Sequence, residues 1–479
     1  MTIEAKRVRT KRRKRFVNSD NKRKRGKWEV LFAAVVLSLA VTPSELTADG
    51  RMSLMMLILA IYCWLFTALP PAMVALGALL LLVLTRAVPQ ELLFESLSSD
   101  VIWLMLGTFM IGACMQKTGL AKRMSFALTT KARSTFLLLF VVTIITQVLT
   151  LFIPSTSGRA SVLLPLYRDL SKQADNERFT KALALLIPTV ILLATNATLI
   201  GASSHLIAND YLPTLGHERI SFVQWLIWGM PFAFLASMCA CLMIGWLFLD
   251  KRARQLKFHN ENQMSEPMTS AEKRTVLVIV AMMGLWLTEA THGVHIATVT
   301  IIGAFTLLMP KIGVIKWKEG VEAVSWNLLL YVGAAIALGE ALMQTGAAEW
   351  AVQLLLEGAE RYLIHSESLT IFFLIAICMS AHLYIPSHTT RAVILVPPLL
   401  ALALAKGFNP QALLFMKMVA LNYCLTFPIS SKALLIYFEE KPSFKANDLF
   451  RLSCLLALVY FGLIVIFFNT YWRWTGLSL

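Results

Sequence analysis

Two short hydroxyl-rich stretches carry most of the chemistry in this 479-residue chain. The first is Ser155-Thr156-Ser157, followed by Arg159. The second is Ser387-His388-Thr389, followed by Arg391. Each belongs to a longer match: Ile153-Pro154-Ser155, Arg159-Ala160 and Pro165 recur in register as Ile385-Pro386-Ser387, Arg391-Ala392 and Pro397, 232 residues later. Further along each half a polar run interrupts an apolar one. In the first it contains Asn196, Gly201 and Ser203-Ser204-His205; in the second, Asn422 and Ser430-Ser431-Lys432. Hydroxyls and freed backbone carbonyls are hard oxygen ligands that suit Na⁺. Half-helix N-termini present N–H groups and about half a positive charge, which suits an anion.

These types assign expected roles. Ser155, Thr156, Ser157, Asn196 and Gly201 line one half-site, and Ser387, His388, Thr389, Ser430 and Ser431 line the other. Lys432, Arg159 and Arg391 supply positive potential for a small anionic substrate. Within the set, Ser155, Thr156, Asn196, Gly201, Ser387, Thr389 and Ser430 are the expected Na⁺ ligands. For the two arginines a structural alternative is a buried carboxylate partner, Glu289 or Glu340.

Such residues need interrupted helices at membrane depth. Irregular backbone there leaves N–H and C=O groups unpaired, tolerable only where protein or a water-filled cavity satisfies them. Lys/Arg-rich connections mark the cytoplasmic side. With the basic N-terminus inside, residues 117–133, 168–181 and 250–274 all fall inside only if 134–170 enters and returns as a re-entrant hairpin. By the same logic 368–405 is a hairpin entering from the other side. The expected fold is an all-α polytopic membrane protein of about eleven transmembrane helices in two inverted-topology repeats, each with a re-entrant hairpin and a broken helix. An inverted repeat with broken helices is a transporter signature. The expected divisions are a disordered cytoplasmic tail (1–28), a first membrane half (29–249), a cytoplasmic linker (250–274) and a second membrane half (275–479). The C-terminus is expected outside, and amphipathic segments near 119–132 and 347–362 along the two interfaces.

Composition agrees. The chain is 57% hydrophobic and 15% charged, with a mean hydropathy of +0.67. That much apolar surface does not fit inside one soluble core, which excludes a soluble enzyme, a disordered regulator and a disulfide-rich secreted scaffold. The net charge is +16, and residues 1–28 hold thirteen Lys/Arg against Glu4 and Asp20, a net +11. This tail has no apolar stretch and so is not a cleavable signal peptide. It reads as a topology signal that touches anionic lipid, with no nucleic-acid partner. Seven cysteines lack metal-ligand spacing. No nucleophile elbow, zinc-protease helix, P-loop or dinucleotide fingerprint occurs, so no enzyme activity and no organic cofactor are expected. An ion gradient must then drive transport.

From about residue 50 onward the chain resembles the divalent anion–sodium symporter family, carriers of dicarboxylates, citrate and sulfate. The resemblance rests on Leu97-Ser-Ser-Asp-Val-Ile-Trp-Leu-Met-Leu-Gly-Thr-Phe-Met110, on the two Pro-Ser tips and on Thr198-Leu-Ile-Gly201. It implies an elevator-type, dimeric secondary transporter of the inner membrane. It also implies a Ser-Asn-Thr triplet at each hairpin tip binding Na⁺ and a substrate carboxylate. Here those triplets read Ser155-Thr156-Ser157 and Ser387-His388-Thr389, and the family's Pro-Pro-Asn after each break reads Ser203-Ser204-His205 and Ser430-Ser431-Lys432. Amides have become His205, His388 and Lys432, which points to an anionic cargo and makes H⁺ the rival coupling ion to Na⁺. The remaining alternatives are an antiporter of the same superfamily, for arsenite or Na⁺/H⁺, and a non-transporting membrane scaffold or receptor.

Overall fold

The computed structural model describes residues 46–477 except 68, 121–122, 124–133, 154, 257–266, 351–366, 386 and 441–442. The expected tail, the first apolar run (29–43), most of both amphipathic segments and the middle of the linker lie outside the described residues.

The first repeat comprises α1 (Ala48–Phe66), α2 (Pro71–Leu84), α3 (Glu91–Ser98), α4 (Asp100–Thr118), α5 (Thr135–Phe152), α6 (Thr156–Ala174), α7 (Glu177–Ala194), α8 (Ser203–Asp210) and α9 (Phe222–Phe248). The second comprises α10 (Ser270–Leu287), α11 (Ile296–Leu308), a short turn at Trp317–Glu322, α12 (Trp326–Gln344), α13 (Glu367–Ser380), α14 (His388–Lys406), α15 (Pro410–Leu421), α16 (Lys432–Glu439) and α17 (Ala446–Phe467). From α3 onward the order repeats element for element: short helix, long helix, hairpin, broken helix, long helix. The two inverted repeats, the hairpins and the broken helices of the sequence reading are all present.

Local chemistry sets these boundaries. Ser134 starts α5 by accepting from Leu137 N at 3.3 Å, and Asn176 starts α7 by accepting from Phe179 N at 3.0 Å. Such caps satisfy amides that a helix cannot bond itself. Gly407, at φ +69°, ends α14 in the left-handed conformation.

The repeats interlock. α4 packs on α11 and α12 on α2, so each supporting wall takes helices from both halves. The returning arm of each hairpin packs on the second half of the other repeat's broken helix, α6 on α16 and α14 on α8. α7 is buried from Ala182 to Ala194, enclosed by α5, α6, α9 and α16. Large apolar side chains stand on the outside instead, with Trp246 71% and Leu458 74% exposed. That inside-out pattern belongs to a protein solvated by lipid.

One ionic tie links the loop after α8 to the start of α4. Arg219 donates to Asp100 Oδ2 at 2.9 Å and to Asp210 Oδ1 at 2.5 Å, while Ser99 Oγ donates to Asp210 Oδ2 at 3.0 Å. Arg219→Gln leaves the largely buried Asp210 without its cation. It is expected to cost about 1–2 kcal/mol, read as a fall of a few degrees in the melting temperature of the detergent-purified protein. An unchanged melt shows the tie to be dispensable.

Candidate functional site

Each hairpin tip is closed by its serine. Ser155 Oγ accepts from Gly158 N at 3.2 Å and Ser387 Oγ accepts from Thr390 N at 3.2 Å, so the two serines cap α6 and α14 in the same way. Ser155 Oγ also lies 3.0 Å from Ser157 Oγ. A capping hydroxyl keeps spare lone pairs, so capping does not preclude ligation.

The broken helices come next. After Ala194 the chain makes two 3₁₀ turns, Thr195–Ala197 and Leu199–Gly201, then an extended Ala202 (φ −147°, ψ 144°) before α8 begins. A Cβ on Gly201 would stand 2.1 Å from Thr195 O, and one on Gly229 of α9 would stand 2.1 Å from Asn196 O. Only glycine admits such close backbone approach. In the second repeat α15 stops at Leu421, a 3₁₀ turn covers Pro428–Ser430, and Ser431 is extended (φ −152°, ψ 142°) before α16. Ser431 Oγ caps α16 by accepting from Ala433 N at 3.2 Å, whereas Ala202 gives α8 no side-chain cap.

Both tips and both breaks open onto one cavity of about 430 Å³. Ser155, Thr156, Ser157, Ser387, His388, Thr389, Ser430, Ser431 and Lys432 all line it. Thr108, Thr195 and Ser203 add further hydroxyls, and Met105, Phe109, Leu328 and Ile429 supply apolar wall. Four helices, α6, α8, α14 and α16, begin at this wall, each with its electropositive end at the cavity. Among the described lining residues Lys432 carries the one formal charge, and no carboxylate is present. The halves touch directly: Ser203 Oγ lies 3.5 Å from Thr389 Oγ1, and Tyr437 of α16 donates to Ala160 O in α6 at 3.1 Å.

Four of the expected residues do not line this cavity. Arg159 is fully buried and donates to Thr150 Oγ1 and, at 3.1 Å, to Gly201 O. Arg391, also fully buried, donates to Tyr423 O at 3.2 Å. Each arginine thus holds a carbonyl freed by its own repeat's break. Neither has the carboxylate partner considered from sequence: Glu289 borders a different cavity with Asp100 and Arg219, and Glu340 accepts from Gln344 at 3.0 Å. The freed carbonyls are nearer acceptors at that depth. Gly201 is buried in the break itself. Asn196 sits behind the cavity, where Asn422 Nδ2 donates to its Oδ1 at 2.8 Å and its own Nδ2 donates to Tyr460 Oη at 3.0 Å. Asn422 also contacts the His205 ring, whose Nδ1 faces Thr198 O at 3.1 Å and whose face stacks on Trp225 at 4.5 Å. His205 is therefore part of the frame, while its counterpart Lys432 stands exposed. Thr198 Oγ1 is buried without a hydrogen-bond partner.

Sequence reasoning did not single out Thr108, Thr195, Ser203 or Asn422 as site residues. Asn422 carried a readable signal, since it repeats Asn196 at a spacing of 226. Thr108 carried none, being one hydroxyl inside an ordinary apolar helix.

The chain matches the sodium:sulfate symporter transmembrane region family over residues 24–478. It is 26% identical to a protein of Cupriavidus necator described as a membrane protein, over 93% of this chain and 92% of that one. It is 25% identical to the sodium-dependent dicarboxylate transporter SdcS of Staphylococcus saprophyticus, over 83% and 81% of the two chains. It is also 25% identical to the L-tartrate/succinate antiporter of Shigella sonnei, over 77% and 78%. Among solved structures, the Alcanivorax borkumensis YdaH transporter shares the fold, with a TM-score of 0.55 at 14% identity, covering 80% of this chain and 87% of that one.

Proposed function

As this chain belongs to the sodium:sulfate symporter family, and is thus a multi-pass membrane transporter and not an enzyme, we propose that it is a secondary carrier of a small dianion driven by Na⁺. The cargo is a dicarboxylate or an inorganic divalent anion. One observation carries this reading: four helix N-termini and Lys432 meet at a cavity of about 430 Å³ that has no carboxylate among its described lining residues. Such a wall stabilises negative charge and offers hydroxyl donors to its oxygens. The SdcS and tartrate/succinate relatives support a dicarboxylate.

Na⁺ travels as the second cargo. The first half-site suits it best, where the hydroxyls of Ser155, Thr156 and Thr195 line the cavity and Asn196 and Gly201 lie in the buried break behind them, which also holds the unpartnered Thr198 Oγ1. Ser387, Thr389 and Ser430 complete the second half-site, and Arg159 and Arg391 add positive potential from behind. Tips and breaks are interlocked into one body, which moves against α1–α4 and α10–α12 as an elevator and exposes the cavity to each side in turn. The working unit is a homodimer in the inner membrane with the basic tail in the cytoplasm, held against anionic lipid.

The test is uptake of labelled succinate and of labelled sulfate into proteoliposomes. An inward Na⁺ gradient is expected to drive accumulation that a Na⁺ ionophore abolishes. Uptake of neither anion overturns the proposal. Ser155→Ala and Thr389→Ala each remove a hydroxyl hydrogen bond to a charged ligand, worth about 1.5–3 kcal/mol. Each should raise the KM for the transported anion about tenfold or more; unchanged kinetics in both remove these hydroxyls from the site.

A further inference from the structure

Lys417 is a cation that nothing so far explains. It lies in α15, one turn before the second break, and is fully buried. Its Nζ has one hydrogen-bond contact, donating to Ile371 O of α13 at 3.4 Å, and none of the ion pairs among the described residues includes it. An ionisable side chain at membrane depth is retained for function far more often than for stability.

Its surroundings are those of a proton site. From α13, which packs on α15, Cys378 is buried, and His382 just beyond the helix is held by Met379 O at 2.6 Å and Thr426 Oγ1 at 2.6 Å. From α17, Tyr460 is committed to Val419 O at 2.8 Å, and Asp448 is paired with Lys181 at 3.0 Å. From α8, His205 is held by Asn422 and Thr198, and Asp210 by Arg219. Among the described residues, none of these groups forms an ion pair with Lys417. Between α15 and the cavity, Arg391 donates to Tyr423 O at 3.2 Å, and the neighbouring Cys424 lies 2.9 Å from Nε2 of His388, which lines the wall.

The repeat gives the second, independent line. At the spacing of 226 that relates Asn196 to Asn422, Thr195 and Thr198 correspond to Leu421 and Cys424. The second break lacks these two hydroxyls and has one, Thr426, where the first has Ile200. Lys417 corresponds to the apolar Ile191. Where oxygen ligands disappear, a tethered amine appears.

We propose that Lys417 carries a proton with the anion, in place of a second Na⁺. The amine takes H⁺ from cavity water when the cargo loads, becoming an ammonium that ties α15 to α13 through Ile371 O. It returns H⁺ to water on the other side. This rests on the carrier reading above and specifies its coupling.

The experiment uses full-length protein in liposomes loaded with a fluorescent pH indicator, given labelled succinate or sulfate with a Na⁺ gradient. Wild type is expected to move protons in step with the anion, and a pH gradient alone is expected to drive accumulation. Lys417→Met is expected to lose pH-driven accumulation at least tenfold while retaining anion/anion exchange, with Lys417→Gln as the second variant should the first fail to stay monodisperse. Anion uptake by wild type without proton movement overturns this proposal and leaves the carrier reading standing. No anion uptake overturns both. A variant that keeps full pH-driven accumulation removes Lys417 from the pathway.

Discussion

Gly201→Ala and Gly229→Ala are each expected to abolish uptake and to lower stability by about 3 kcal/mol. In both cases the new methyl would sit 2.1 Å from a carbonyl oxygen of the first break, Thr195 O from one side and Asn196 O from the other. The clash is with backbone, so no rotamer change relieves it. The break must either open, separating Ala202 and Ser203 from the wall, or straighten into helix. Gly245→Ala in the same α9 is the matched control, because its Cβ would meet only Leu249 Cδ1 at 4.0 Å. It should melt at or slightly above the wild-type temperature, since alanine favours helix over glycine. Thermal melts of purified protein and initial succinate uptake rates check the three together. Should Gly201→Ala and Gly229→Ala behave like Gly245→Ala, the first break is not the tightly folded turn described here.

The second large effect is expected from Asn422→Ala. This side chain joins the two breaks, donating to Asn196 Oδ1 at 2.8 Å while touching the His205 ring and lying 3.5 Å from Ser204 Oγ. Its loss leaves buried polar groups of the first break, on Asn196, His205 and Ser204, short of a partner, a cost of about 3 kcal/mol. Uptake should fall about a hundredfold even where the protein remains folded, because both walls of the cavity hang from this bridge. A double-mutant cycle with Asn196→Ala measures the coupling directly. The two substitutions together should cost at least about 1 kcal/mol less than their sum. Strict additivity would show that the two asparagines act independently.

Much of this was legible in the residue order because repetition doubles a weak signal. A single Ser-Thr-Ser reads as any turn; matched to Ser387-His388-Thr389, with an arginine and a proline in register, it reads as one half of a site. Charge in the connections then gave the hairpins, since only a returning 134–170 keeps 117–133 and 168–181 on one side. What stayed hidden depended on radial direction. Arg159 and Arg391 follow the tips by a few residues, yet one turn of helix points them away from the cavity and onto freed carbonyls. His205 and Lys432 occupy equivalent positions, but Trp225 and Asn422 hold the imidazole in the core while the lysine stands exposed. Lys417 was visible all along as one charge within an apolar run, and only its burial shows that it is not an interfacial anchor.

The loneliness of Lys432 makes the chamber polar along one direction, although the architecture around it is built on a near-twofold plan. A solute whose two ends differ in charge has one favoured way round, with its richer end toward that amine and its other end among the facing hydroxyls. A handed solute would meet rows of donors that its mirror image could not engage equally, so uptake of the two mirror forms is expected to differ.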